Sequence, residues 1–229
     1  MSHTLAEFLI RVLPSPETDD FEVCLLADGE NLIERFSSNM IGLDPGDLLV
    51  EPCTLRAQRT PHTATIGRCN CGVIGCGSVQ VDIRRNQDFV TLQALNSVGE
   101  IGFLAAQYDA EVERALGDFS WETPDRTAAR LIAKTIDRTV LEEKGLAFSW
   151  ASGRFDEGMM TVAFVLNPGP YQVLVKIPWD GKSVESIVDR FRLLLRKSPE
   201  SWPNVECYPQ VQGLGPPPVG GPGWRGWVP

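Results

Sequence analysis

At 229 residues, 43% hydrophobic and 22% charged, the chain has the composition of an ordinary globular protein and length for one large domain or two of about 100 residues, which excludes disordered and fibrous classes. Thirty acidic residues against 21 Lys plus Arg leave a formal net charge of -9, and such a surface repels phosphate backbones and anionic lipid head groups, so the expectation is no nucleic acid and no membrane among the partners. No apolar run nears the roughly 18 residues of a membrane span, and MSHTLAEFLIRVLPSP is too short and too charged for a signal sequence; the expectation is a cytoplasmic protein whose six Cys are thiols rather than a disulfide set.

The chain opens on an apolar strand or short helix, Leu5 to Val12, ended by Pro14 and Pro16. Phe21 to Leu26, the Asp28-Gly29 turn and Leu32 to Phe36 then read as a hairpin. Pro45-Gly46 marks a turn, and Leu48 to Leu55 reads as extended. Three strands follow as a meander: His62 to Gly67, a run in which Val79, Val81 and Ile83 alternate with polar residues, and Phe89 to Ala94. Period-2 alternation is the mark of a strand with one face on a core.

The period then changes. Leu104, Tyr108, Val112 and Leu116 recur every four residues while Asp109, Glu111, Glu113 and Arg114 point away, which predicts an amphipathic helix stopped at Gly117. Thr123, Pro124 and Asp125 start a second helix with the stripe Ala128, Leu131, Ile132, Ile136 and Val140, closed by Gly145. Strands are expected over Leu146 to Trp150, Met159 to Leu166 and Tyr171 to Ile177, with a turn at Asn167 to Pro170. A helix from Val184 to Lys197 follows, N-capped by Ser183. Its basic residues Arg190, Arg192, Arg196 and Lys197 interleave with Phe191, Leu193, Leu194 and Leu195 and read as a solvated face. The last seventeen residues hold six Gly and five Pro, so this tail is either mobile or laid over the body, with Trp224 and Trp227 as anchors. Together these elements predict an α+β fold of antiparallel β-meanders packed with about three amphipathic helices. The expected domains are residues 1–143, a β-β-β-α unit over 144–209 that either has its own core or shares that of the first, and a Gly/Pro-rich tail over 210–229.

Between the first two meander strands lies Cys69-Asn70-Cys71-Gly72-Val73-Ile74-Gly75-Cys76-Gly77. Three thiols within eight residues, separated by glycines that permit a tight wrap, can point at one centre, and a structural zinc is the cofactor they suggest. Zinc wants a fourth ligand, for which Cys53, His62 and the more distant Cys207 are candidates; buried reduced thiols, or a disulfide between Cys71 and Cys76, are the other readings. This loop, with Tyr108-Asp109-Ala110-Glu111 and Ser120-Trp121-Glu122-Thr123-Pro124 after it, resembles a pattern found in uncharacterised bacterial proteins, chiefly actinobacterial ones. The resemblance spans roughly residues 18 to 135, implies one domain there, and carries no activity to this chain.

Catalytic chemistry is hard to place. With His3 and His62 as the two His, Ser or Cys triads and multi-histidine centres have no base to build on. CGVIGCG lacks G-x-G-x-x-G spacing and precedes a strand, which argues against nucleotide binding. Six Trp, several beside Pro or Gly in loops, suggest that some form a contact patch. The functional expectation is a non-enzymatic protein-binding or regulatory protein, immunity- or antitoxin-like toward a basic protein partner. The rivals are a small enzyme working with carboxylates and a structural protein in which one sheet edge pairs with a second copy as a homo-oligomer.

Overall fold

A computed structural model describes residues 5–15, 20–71, 76–95, 99–166, 170–211, 213–214, 217 and 219–226. The chain divides into two compact units, Met1–Trp121 and Glu122–Pro229. Among the described residues no helix is long and apolar enough to cross a membrane.

In the first unit β1 (Phe8–Pro14), β2 (Phe21–Ala27) and the short β3 (Glu30–Asn31) form an antiparallel sheet in the order β1-β2-β3. Leu32 to Phe36, expected to return as a strand, is instead α1 (Leu32–Phe36). The Asn31 side chain accepts the Ile33 N–H and starts a helical turn where the apolar pattern alone suggested a ladder. After β4 (Met40–Gly42), Asp44 caps α2 (Pro45–Leu48), and the stretch to Leu55 is bends and turns rather than extended. Then come β5 (His62–Cys69), β6 (Ser78–Asn86), β7 (Phe89–Ala94) and β8 (Glu100–Leu104). The meander is therefore one of five strands, ordered β4-β5-β6-β7-β8 and antiparallel throughout.

Val79, Val81, Ile83, Val90, Leu92, Ile101 and Phe103 bury the inner face of this sheet in one core with Phe8, Ile10, Val23 and Leu25. Helix α3 (Ala105–Gly117) adds Ala105, Tyr108, Val112 and Ala115 to that core, and the Tyr108 ring stacks on Phe8 at 4.5 Å. Leu104 is not part of the buried stripe: it is the residue before the helix and stands 51% exposed. Glu111, expected to face water, is buried. Its Oε1 accepts the Ile10 N–H at 2.7 Å, and Arg114, paired with the same carboxylate, donates to the Ile10 carbonyl. One turn earlier the Gln107 amide both accepts from the Phe8 N–H and donates to its carbonyl. Side chains of α3 thus take the place of a further strand along the outer edge of β1, satisfying donors and acceptors that a bare edge would leave open.

The second unit begins with α4 (Pro124–Lys134) and α5 (Arg138–Glu143), followed by β9 (Leu146–Ser152), β10 (Met159–Leu166), β11 (Tyr171–Pro178), α6 (Val184–Leu195), β12 (Val205–Pro209) and β13 (Trp224–Gly226). Its sheet runs β13-β12-β11-β10-β9. The helix expected from Thr123 to Gly145 is two helices, because Asp137 accepts the Thr139 and Val140 N–H groups and starts afresh. Both pack on this sheet's core, α4 against α6 and β9 and α5 against β9. Both helices belong to the second unit, which begins at Glu122. The tail joins the same sheet. β13 pairs in parallel with β12, and the Trp224 indole donates to the Pro199 carbonyl at 2.9 Å. Trp227, Pro16 and Asn167 to Gly169 lie outside the described residues.

Candidate metal centre

The β5–β6 hairpin carries Cys69 at the end of its first strand and Cys71 and Cys76 in the connection, while residues 72–75 lie outside the described residues. The Cys69 N–H donates to the Gly77 carbonyl at 3.1 Å, which closes the hairpin mouth. The three Sγ atoms lie within 4.8 Å of one another, with Cys69 partly exposed and Cys71 and Cys76 open to solvent. That is close enough to chelate one metal ion such as zinc.

The electrostatics favour a cation. Hydrogen bonding to Cys71 and then to Cys69, together with the charge on those neighbours, pushes the Cys76 thiol up to about 11. Three sulfurs this close resist ionising together, and a bound metal ion offsets that repulsion by taking the place of the protons.

The other expected donors are elsewhere. Cys53 is buried, its thiol donates to the Leu48 carbonyl at 3.5 Å, and burial holds it above the ordinary thiol range. His62 begins β5 whereas Cys69 ends it, so about 20 Å of strand separates them; its Nε2 lies 2.9 Å from the Thr54 carbonyl. Cys207 is buried in β12 of the second unit, where burial pushes its thiol up to about 11. Cys24 is likewise buried, and burial followed by the Glu22 charge raises it to about 11. The six cysteines divide by burial. Three are packed into the cores and three gather at the hairpin tip.

Carboxylates form no comparable centre among the described residues. Asp109 is held by two hydrogen bonds from Arg85 at 2.6 and 2.8 Å, and Glu113 by Arg56 at 2.7 and 3.0 Å. A groove of about 390 Å³ between β1 and α3 is lined by Glu111, Arg114, Asp118 and Trp121. Burial there pushes the Glu111 carboxyl up, but the Arg114 hydrogen bonds, the Ile10 N–H and the Arg114 charge outweigh it and hold the group below the usual range. A general acid needs the opposite shift.

Four of the described tryptophans are tied to backbone carbonyls. The indole N–H groups of Trp121, Trp179, Trp202 and Trp224 donate to the carbonyls of Asp118, Ser183, Leu194 and Pro199, and Trp150 lies against Phe155. Trp179 and Trp202 are buried and Trp121, Trp150 and Trp224 half-buried, and an indole bound to backbone in this way serves a core or a cap.

No protein-family model matches the chain, and neither the curated proteins nor the solved structures contain a significant match.

Proposed function

We propose that the protein acts by binding rather than by catalysis, and that Cys69, Cys71 and Cys76 hold a thiophilic metal ion, zinc or a close analogue, at the tip of the β5–β6 hairpin. The observation that carries this is the convergence of three solvent-accessible thiols while the remaining three cysteines are buried apart. Thiolate sulfur is the preferred donor for zinc and other soft d¹⁰ ions. Among the described residues the tip supplies three such donors, so a tetrahedral ion there would keep one position for water or a further donor. The net charge of -9 adds an expectation about that partner: it steers a basic protein toward the molecule, as an immunity- or antitoxin-like role would require. The carboxylate-enzyme alternative is the weaker one, because the acidic groups described above are each held by an arginine.

Elemental analysis of protein purified without added metal, followed by zinc titration with a chromophoric competitor, tests the metal site. One equivalent bound by the full chain, and a loss of binding in Cys71→Ser and Cys76→Ser, is the expected result. Less than about a tenth of an equivalent, with no uptake on titration, would sink it. The partner expectation has its own test: a stoichiometric protein retained from lysate at low salt and released as salt rises.

A further inference from the structure

Strand β4 lies beside β5 on the side away from β6, and its first residue, Met40, stands directly opposite Cys69. Opposed residues of an antiparallel pair present their side chains on the same face of the sheet, with Cβ atoms about 5 Å apart. Across β5, Gly77, the residue before β6, flanks Cys69 through the 3.1 Å hydrogen bond that closes the hairpin. Met40, Cys69 and Gly77 therefore make one row across β4, the end of β5 and the approach to β6. The Met40 side chain extends along that row. A Cβ placed on Gly77 would lie 2.9 Å from Met40 Cε, 4.0 Å from its Sδ and 3.9 Å from Cys69 Cβ. The thioether thus passes by Cys69 and ends over the residue next to Cys76, in space that is open because position 77 has no side chain.

Resting on the metal-site reading above, we propose that the Met40 thioether is a fourth, soft donor and that the Cys69, Cys71, Cys76 and Met40 set is built for monovalent copper. Zinc is a borderline ion that takes thiolate, imidazole or carboxylate in a closed tetrahedron, and a neutral thioether adds little to it. Monovalent copper is softer: three sulfurs satisfy it in a near-trigonal plane, and a thioether serves as a weaker additional ligand. The same four residues therefore discriminate between the ions through Met40 alone. Gly77 has a defined part in this, since a methyl group there would displace the end of Met40.

The competing account of Met40 is packing, as it also lies against the first unit's core. Met40→Leu separates the two, because leucine keeps the apolar volume and removes the sulfur. The experiment titrates the anaerobic, reduced full chain with Cu(I) against a chromophoric Cu(I) chelator and, separately, with Zn(II). The Met40 methyl group is followed in a methyl-¹³C-methionine sample. Expected is one Cu(I) per chain, a Met40 methyl shift with Cu(I) but not with zinc, and about a ten-fold loss of Cu(I) affinity in Met40→Leu with zinc affinity unchanged. Gly77→Ala should show the same selective loss with an unaltered thermal midpoint. If Met40→Leu leaves Cu(I) affinity intact, or weakens both ions equally, Met40 is packing only; this inference then falls while the three-thiol site stands. If the wild-type chain binds neither ion, the site itself falls.

Discussion

Glu111 shows how one side chain can connect a helix to a sheet edge. Its carboxylate accepts the Ile10 N–H and pairs with Arg114, which in turn holds the Ile10 carbonyl. Replacement by Ala strips the acceptor from a buried N–H and leaves Arg114 without its nearest charged partner, so a loss of about 2 kcal/mol in urea-unfolding free energy is expected. Glu111→Gln keeps the shape and removes the charge, and it makes the pH dependence diagnostic. Because the folded carboxyl sits below its ordinary value of 4.5, its charge stabilises the fold in full above that pH. The contribution fades as pH falls through the folded value. Wild-type and Glu111→Gln stabilities should therefore differ at pH 7 and converge in acid. A constant gap across that range would mean that the carboxylate charge contributes nothing. This residue was misplaced by the sequence reading because helical periodicity sorts side chains as apolar or polar and has no means of registering a strand edge that needs an acceptor. The gathering of Cys69, Cys71 and Cys76 was legible from spacing alone. The place of Met40 was not, since only the β4–β5 register sets it opposite Cys69.

Among elements, those that show one face to a core were legible: β6 and β7 by alternation, α3 and α6 by their four-residue stripe, and β10 by a continuous apolar run that the sheet buries almost entirely. Failures occurred where a short polar side chain redirected the backbone, as at Asn31 and Asp137, and where strands of three to five residues, β4 and β8, offered too little pattern to read. The glycine-rich tail was legible only as a choice between a mobile segment and one laid over the body, and it is the second, with Trp224 as the expected anchor. Composition argues that it cannot fold alone, yet its glycines let it approach a neighbouring backbone. A Cβ at Gly221 would lie 1.7 Å from the Glu200 carbonyl oxygen, and one at Gly223 2.5 Å from that of Trp202. Gly221→Ala should accordingly detach β13 without unfolding the unit. Tryptic cleavage after the exposed Arg225 then serves as the readout: easing local opening by about 1.4 kcal/mol raises the cleavable population roughly ten-fold. An unchanged cleavage rate would mean that the β12–β13 pairing contributes little to holding the tail.

At the scale of the whole molecule, the two buried clusters share no residue. One ends within α3 and the other begins in α4. The residues at the boundary divide in the same way: Trp121 packs against Phe21 and donates to Asp118, whereas Glu122 is paired with Arg130 and accepts from Thr127. Each side keeps a sheet with at least one covering helix, which is what independent stability requires. The pieces 1–121 and 122–229 should therefore each unfold cooperatively, with a urea dependence near about 1 kcal/mol per molar, as suits chains of this size. Metal uptake should go entirely with the first, since Cys69, Cys71, Cys76 and Met40 all belong to it. If 1–121 folds but binds no metal while the full chain does, the three-thiol site is not where the metal is held. If neither piece folds alone, the two cores depend on each other for stability, and the division seen in their contacts is not a division in thermodynamics.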